Sequence, residues 1–182
     1  MASTTEQGFN FALADTLRKK HPLWKKAIQA EQTQVLRDSP GKQPDIVMSL
    51  AGVSPVVIET EFMPATTVED DAISRLGEHL VSTNKAIENV IAVRIPSKLR
   101  EVEQDEIGDS IQQTVFEYCL FTKTEDRFNQ RWPEKGWLQG HIDDVANCLE
   151  SATLSESLIS KSTDILEDGV AQSANILRGG AE

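Results

Sequence analysis

Two apolar runs lie side by side in the segment PDIVMSLAGVSPVVIETEF, Pro44 to Phe62, and both carry acid at one end. Ile46, Val47, Met48 and Leu50 make the first run; Val56, Val57 and Ile58 make the second. The Ala51-Gly52 pair between them predicts a turn, so the segment reads as two paired β-strands. Asp45 opens the first strand, and Glu59 and Glu61 close the second. Strand side chains alternate between faces, so Glu59 and Glu61 share one, and pairing brings Asp45 alongside. Gathering three carboxylates at the ends of apolar strands is costly, because like charges repel and burial penalises charge. A hard divalent cation with oxygen ligands offsets that cost. A plainer account makes Asp45 a turn residue after Pro44 and Glu59 and Glu61 the solvated side of an edge strand. The unbroken run Val56-Val57-Ile58 instead predicts a strand buried on both faces.

The flanking pattern extends the theme. A helix is predicted from about Thr67 to Thr83, with Val68, Ala72, Ile73, Leu76, Leu80 and Val81 at helical spacing and Glu69, Asp70 and Asp71 in its first turn. Asn89 to Ile95 reads as a third strand, stopped by Pro96. Pro44-Asp45, then Glu59-Thr60-Glu61 after an apolar strand, in strand–strand–helix–strand order, resembles the PD-(D/E)XK nuclease superfamily over roughly residues 10 to 95. That resemblance implies an α/β, restriction-endonuclease-like fold, a central mixed sheet flanked by helices, with residues 1–153 as the core. It also implies a metal-dependent DNA endonuclease of a restriction or genome-defence system. Asp45 and Glu59 would then hold Mg²⁺ or Mn²⁺, with the Thr60 carbonyl as a backbone ligand. The usual family ending is Lys, and this chain has Glu61. Glu61 is then an extra metal ligand or a base, or the chain is a degenerate copy that serves as a non-catalytic interaction domain. Helicase, methyltransferase or target-sensing modules are the partners that such company implies, beside DNA itself.

Upstream, one helix is predicted from about Gln7 to Lys20, with Phe11, Ala14 and Leu17 inward, and a second from about Leu23 to Leu36 after Pro22. On the second, Trp24, Ile28 and Val35 form an apolar line that also contains Glu31. An acid on such a line needs a partner. The superfamily often supplies a site acid from a helix before the first strand, and Glu31 takes that role or pairs with solvent or an arginine.

Downstream, Thr114 to Lys123 reads as a strand, Asp126 to Gly140 as a hairpin end, and His141 to Ser151 as a helix. Trp132, Trp137 and Phe128 lie near Arg127 and Arg131, an arrangement able to stack on bases, although capping the core is the preferred account. Arg75 and His79 are expected on one helical face, offset from the apolar stripe. The stripe Leu154, Leu158, Ile165, Val170, Ala174 and Leu177 predicts a C-terminal helix over 154–182. That helix would pack on the core, form a homodimer seam or lead into a further domain; the ending LRGGAE suggests a chain cut from a larger protein.

Composition limits the alternatives. No apolar stretch approaches the ~18 residues of a membrane span, the N-terminus does not resemble a secretion signal, and two cysteines are too few for a disulfide framework. A cytoplasmic protein is the expectation. The net charge of −11 is unlike a generic nucleic-acid binder. Residues 1–42, however, hold seven Lys/Arg against four acids, a net of +3, so DNA would approach that end. There is no phosphate loop, dinucleotide fingerprint, nucleophile elbow or zinc-type His-Glu-x-x-His.

Overall fold

A computed structural model describes residues 3–31, 36–124 and 129–153. The expected C-terminal helix over 154–182 lies outside these residues, as do Val35, Arg127 and Phe128. Helix α1 spans Glu6–Arg18; the Thr5 side chain accepts from Gly8 N–H, Glu6 sits in the first turn and Arg18 in the last, each suited to the helix dipole. Phe9, Leu13, Ala14 and Leu17 face inward, whereas Phe11, expected to do so, is 40% exposed.

The predicted second helix does not form. Pro22–Lys25 is a single 3₁₀ turn with Pro at its start, and Ile28–Ala30 is strand β1. Ile28 and Ala30 are buried with Gln29 exposed between them, the period-2 pattern of a strand. The next strand decides the matter, since β1 pairs antiparallel with β2, Ile46–Met48, through Ile28↔Met48 and Ala30↔Ile46. The Ile28 carbonyl accepts two hydrogen bonds from the Arg18 guanidinium, at 2.9 and 2.7 Å, which covers part of an exposed sheet edge.

β2 turns through Gly52 (φ +83°) into β3, Val56–Phe62, and pairs with it antiparallel. β3 runs parallel to β6, Asn89–Ile95, and parallel neighbours require a crossover. Helix α2, Val68–Arg75, and a small hairpin of β4, His79–Leu80, and β5, Lys85–Ala86, supply it. α2 is therefore about half the predicted helix. Gly77, with φ +82°, takes the left-handed conformation that ends helices, and Leu80 and Val81 belong to the hairpin region instead.

The chain continues through a 3₁₀ turn, Ser97–Glu101, to α3, Ile107–Gln113, and then β7, Phe116–Lys123, antiparallel to β6. β8, Asn129–Trp132, and β9, Leu138–Gly140, pair with opposite ends of β7. Helix α4 covers residues 142–153. The sheet order is β1-β2-β3-β6-β7-β8, with β9 also on β7. The molecule is thus a mixed α/β fold with a central mixed sheet flanked by helices.

Two apolar clusters sandwich the sheet. α1, α3 and α4 pack on one face against Ile46, Ile58, Ile91, Val93 and Phe116. α2 and the small hairpin pack on the other against Val47, Val57, Val90, Ala92 and Phe121. Phe9 of α1 is fully buried, its ring 5.8 Å from Phe62 and 6.1 Å from Phe116. β3 and β6 are consequently covered on both sides, and side chains at their ends are firmly held.

Candidate functional site

The acids meet where β1 ends, β2 begins and β3 approaches its end. Ile46 pairs with Ile58, so Asp45 lies opposite Glu59 and shares its sheet face. Glu59 is 4% exposed and Thr60 5%. Asp45 Oδ2 accepts from Thr60 N–H at 2.7 Å and lies 3.3 Å from Thr60 Oγ1. That hydroxyl has a single proton, which it donates to Asn10 Oδ1 at 2.6 Å. The amide end of Asn10 donates in turn to Glu31 Oε1 at 2.7 Å. Asn10 is fully buried on the apolar face of α1, so this chain of bonds satisfies a polar group that would otherwise be costly there.

Glu31 joins the cluster from a strand end, not from a helix. Its N–H donates to the Asp45 carbonyl at 2.8 Å, extending the β1–β2 ladder. Its φ is +61°, a conformation sparsely populated by non-glycine residues. The acid that a helix does contribute is Glu6. Burial, then the charges of Glu61 and Glu31, raise the Glu6 carboxyl above its usual range.

Asp45 and Glu59 are strongly perturbed. Burial is the main cause at Asp45, and the charges of Glu6 and Glu31 add to it; the Thr60 N–H bond acts in the opposite sense, and the carboxyl is pushed up to about 7. Burial and then the Asp45 charge raise Glu59 to about 8, against the downward pull of Arg75. The Asp45 charge thus helps to hold the proton on Glu59 through the neutral range.

Arg75 is the counter-ion that sequence reading placed elsewhere. It is 7% exposed at the end of α2. Its Nε donates to Glu59 Oε1 at 2.7 Å and its Nη2 to the Gln43 carbonyl at 3.2 Å. Nη1 lies 3.8 Å from Glu78 Oε2, and neither atom has a hydrogen-bond partner. His79, expected beside Arg75 on a helix, is in β4 with Nδ1 3.5 Å from Asp38 Oδ2.

Glu61 points to a different task. Its Oε2 accepts from both Thr67 N–H and Val68 N–H at 2.9 Å, capping the N-terminus of α2 as a carboxylate does well. The expected convergence of Asp45, Glu59 and Glu61 on one ion is not found. Among the described residues, no three His, Cys, Asp or Glu side chains are placed to hold a metal ion together. Two strand carboxylates remain adjacent, with Glu31 and Glu6 beside Asp45 and Arg75 on Glu59.

No family model, no curated protein and no solved structure matches this chain. Glu6, Asn10 and Arg75 are the members of the site that sequence reading missed. The signal for Asn10 was a lone amide on the α1 line between Phe9 and Leu13. The signal for Arg75 was Gly77, which shortens the helix and makes Arg75 a terminal residue able to reach the sheet. Of the aromatic group, Trp137 is half-buried between Arg94, 3.9 Å from its ring centre, and Arg131, at 5.3 Å, while Trp132 is 58% exposed.

Proposed function

We propose that this chain is a restriction-endonuclease-like domain that hydrolyses DNA phosphodiester bonds with a divalent cation, in a restriction or genome-defence setting. The observation that carries the reading is the placement of Asp45 and Glu59 opposite each other on β2 and β3, desolvated and repelling. Two oxygen donors so arranged suit Mg²⁺ or Mn²⁺, which would relieve both the burial of charge and the repulsion. Asp45 and Glu59 would hold the ion, with the Thr60 carbonyl as the third protein donor proposed. Glu61, occupied at the α2 N-terminus, supports that helix and does not serve as a ligand in this arrangement.

When bound, the cation supplies a low-pKa water and stabilises charge on the phosphoryl group. The chain's own residues prepare that site. The Thr60 N–H orients Asp45, Arg75 orients Glu59, and Asn10 links Glu31 to Thr60. DNA would be the substrate and helicase, methyltransferase or target-sensing domains the partners, in the cytoplasm; a homodimer is compatible with this reading. No helix among the described residues is long and apolar enough to cross a membrane.

The test is plasmid nicking with Mg²⁺ or Mn²⁺ by the parent, Asp45→Asn, Glu59→Gln and the control Asp109→Asn. Cleavage by the parent and the control, lost in the other two, is expected. Cleavage that survives both site changes would refute the assignment. The second reading, a non-catalytic interaction domain, draws on the Glu59–Arg75 pair and the Glu61 cap, which satisfy two of the acids within the fold. It predicts no Mn²⁺ binding that depends on Asp45.

A further inference from the structure

Four polar residues line up across the α2 face of the sheet, one row beyond the apolar side chains. Glu61 is the register partner of Arg94, Arg94 of Glu117, and Glu117 of Gln139, so the row crosses β3, β6, β7 and β9. Rows below it on the same face include Ala92 with Cys119 and Val90 with Phe121, which are buried apolar pairs. The row is partly open to solvent, and Gln139 at its end is exposed.

Beside this row is a cavity of about 390 Å³ lined by Arg94, Glu117 and Gln139 and walled by Met63, Pro96 and Val115. Met63 and Pro96 directly follow the last residues of the parallel strands β3 and β6. The space outside the carboxyl ends of parallel strands is where α/β sheets bind ligands, and the volume is that of a small-molecule site, about 300–1,000 Å³. Arg94 Nη1 pairs with Glu117 Oε2 at 3.2 Å and its guanidinium lies 3.9 Å from the centre of the Trp137 ring. Its Nε is buried and has no hydrogen-bond partner. Ser97 and Lys98 complete the lining from an exposed turn.

We infer that this cavity takes one nucleotide unit of a single DNA strand, with the base against the row and the phosphate toward Lys98. The proposal rests on the nuclease reading for its substrate class, and on the cavity for its place. Guanidinium, carboxylate and carboxamide together offer donors and acceptors to a base edge, whose edges carry both. Met63, Pro96 and Val115 present apolar surface to the base faces. Three residues of β3 lie between Glu59 and Met63, and the four steps span roughly 13 Å of extended strand. A strand seated in the cavity would therefore pass the Asp45–Glu59 pair within a few nucleotides.

The test uses the whole chain in EDTA, so that binding is read without cleavage. The probes are a fluorescent single-stranded hexanucleotide, followed by polarisation, and unlabelled deoxynucleoside monophosphates as competitors. Tighter binding of the hexamer than of any monophosphate is expected. Val115→Trp, which fills the cavity from an exposed wall, should weaken hexamer binding at least tenfold. Gln139→Ala, at a solvent-facing position, should weaken it about fivefold or more, as loss of a base-edge contact does. Lys98→Ala should reduce the salt dependence. No hexamer binding by the parent, binding of monophosphates alone, or binding indifferent to both Val115→Trp and Gln139→Ala would overturn the proposal. Asp45→Asn should still bind, so loss of cleavage without loss of binding separates this site from the metal reading.

Discussion

Replacing Asp45 by Asn should stabilise the metal-free protein, and increasingly so as pH rises. The folded carboxyl releases its proton at about 7, against 3.8 for an ordinary aspartate. Between those values the folded state holds a proton that the unfolded chain has lost. Stability is then greatest at low pH and falls as pH rises towards 7. The full difference corresponds to ~4 kcal/mol, and the part that falls between pH 5 and pH 8 to ~3 kcal/mol, at ~1.4 kcal/mol for each tenfold change in proton affinity. The substituted asparagine side chain keeps a carbonyl oxygen for the Thr60 N–H but carries no charge, so this loss disappears. The assay is urea denaturation of parent and variant at pH 5, 6, 7 and 8 in EDTA. The stability difference between them cancels the contributions of acids that do not interact with Asp45. It should grow by ~3 kcal/mol across that range, equivalent to roughly 6–12 °C in Tm for a chain of this size. Excess Mg²⁺ at pH 8 should then narrow the gap by stabilising only the parent, by ~2.7 kcal/mol at a hundred times its dissociation constant. A difference that does not change with pH, or one that shrinks as pH rises, would refute the idea that Asp45 is a desolvated, repelled carboxylate.

Other variants probe the surrounding bonds. Arg75→Met removes the donor to Glu59 Oε1 and should cost ~1–3 kcal/mol at pH 5 and only slightly more at pH 8, because Glu59 holds its proton up to about 8; a much larger loss at pH 8 would mean that Glu59 is ionised well below that value. Glu61→Ala removes the acceptor for two α2 N–H groups and should cost ~1 kcal/mol by denaturation, with no effect on Mn²⁺ affinity. A large fall in Mn²⁺ affinity would restore Glu61 as a ligand. Asn10→Ala leaves the Thr60 hydroxyl and Glu31 without their shared partner, and should cost ~1–3 kcal/mol, measured by the same denaturation.

Several elements could be read from the chain because their cause is local. Val56-Val57-Ile58 and Asn89 to Ile95 are too uniformly apolar for anything but buried strands, and Ala51-Gly52 between two such runs implies a hairpin. The hairpin brings Asp45 alongside the acids of β3, but its face was decided by the register Ile46↔Ile58; a two-residue turn at Ala51-Gly52 would have set Asp45 opposite Ile58, on the other face from Glu59. The mistakes fall where a local pattern had two solutions. Trp24 and Ile28 fit a helix by spacing, yet Ile28-Gln29-Ala30 also fits a strand, and the free edge of β2 selected the strand by offering hydrogen bonds. The helix from Thr67 ended early because Gly77 adopts a left-handed conformation, and that freed Arg75 to turn into the sheet. No one-dimensional pattern records that Glu61 faces the α2 N-terminus, that Asn10 joins Glu31 to Thr60, or that Glu61, Arg94, Glu117 and Gln139 form one row. Those contacts join residues up to 50 positions apart, and only strand register and helix packing bring them together. The chain by itself marked β2, β3, β6 and β7 as strands and put Asp45, Glu59 and Glu61 at the ends of the first two. Tertiary structure decided what each acid touches, because a carboxylate's partner is set by whatever donor the fold delivers to it.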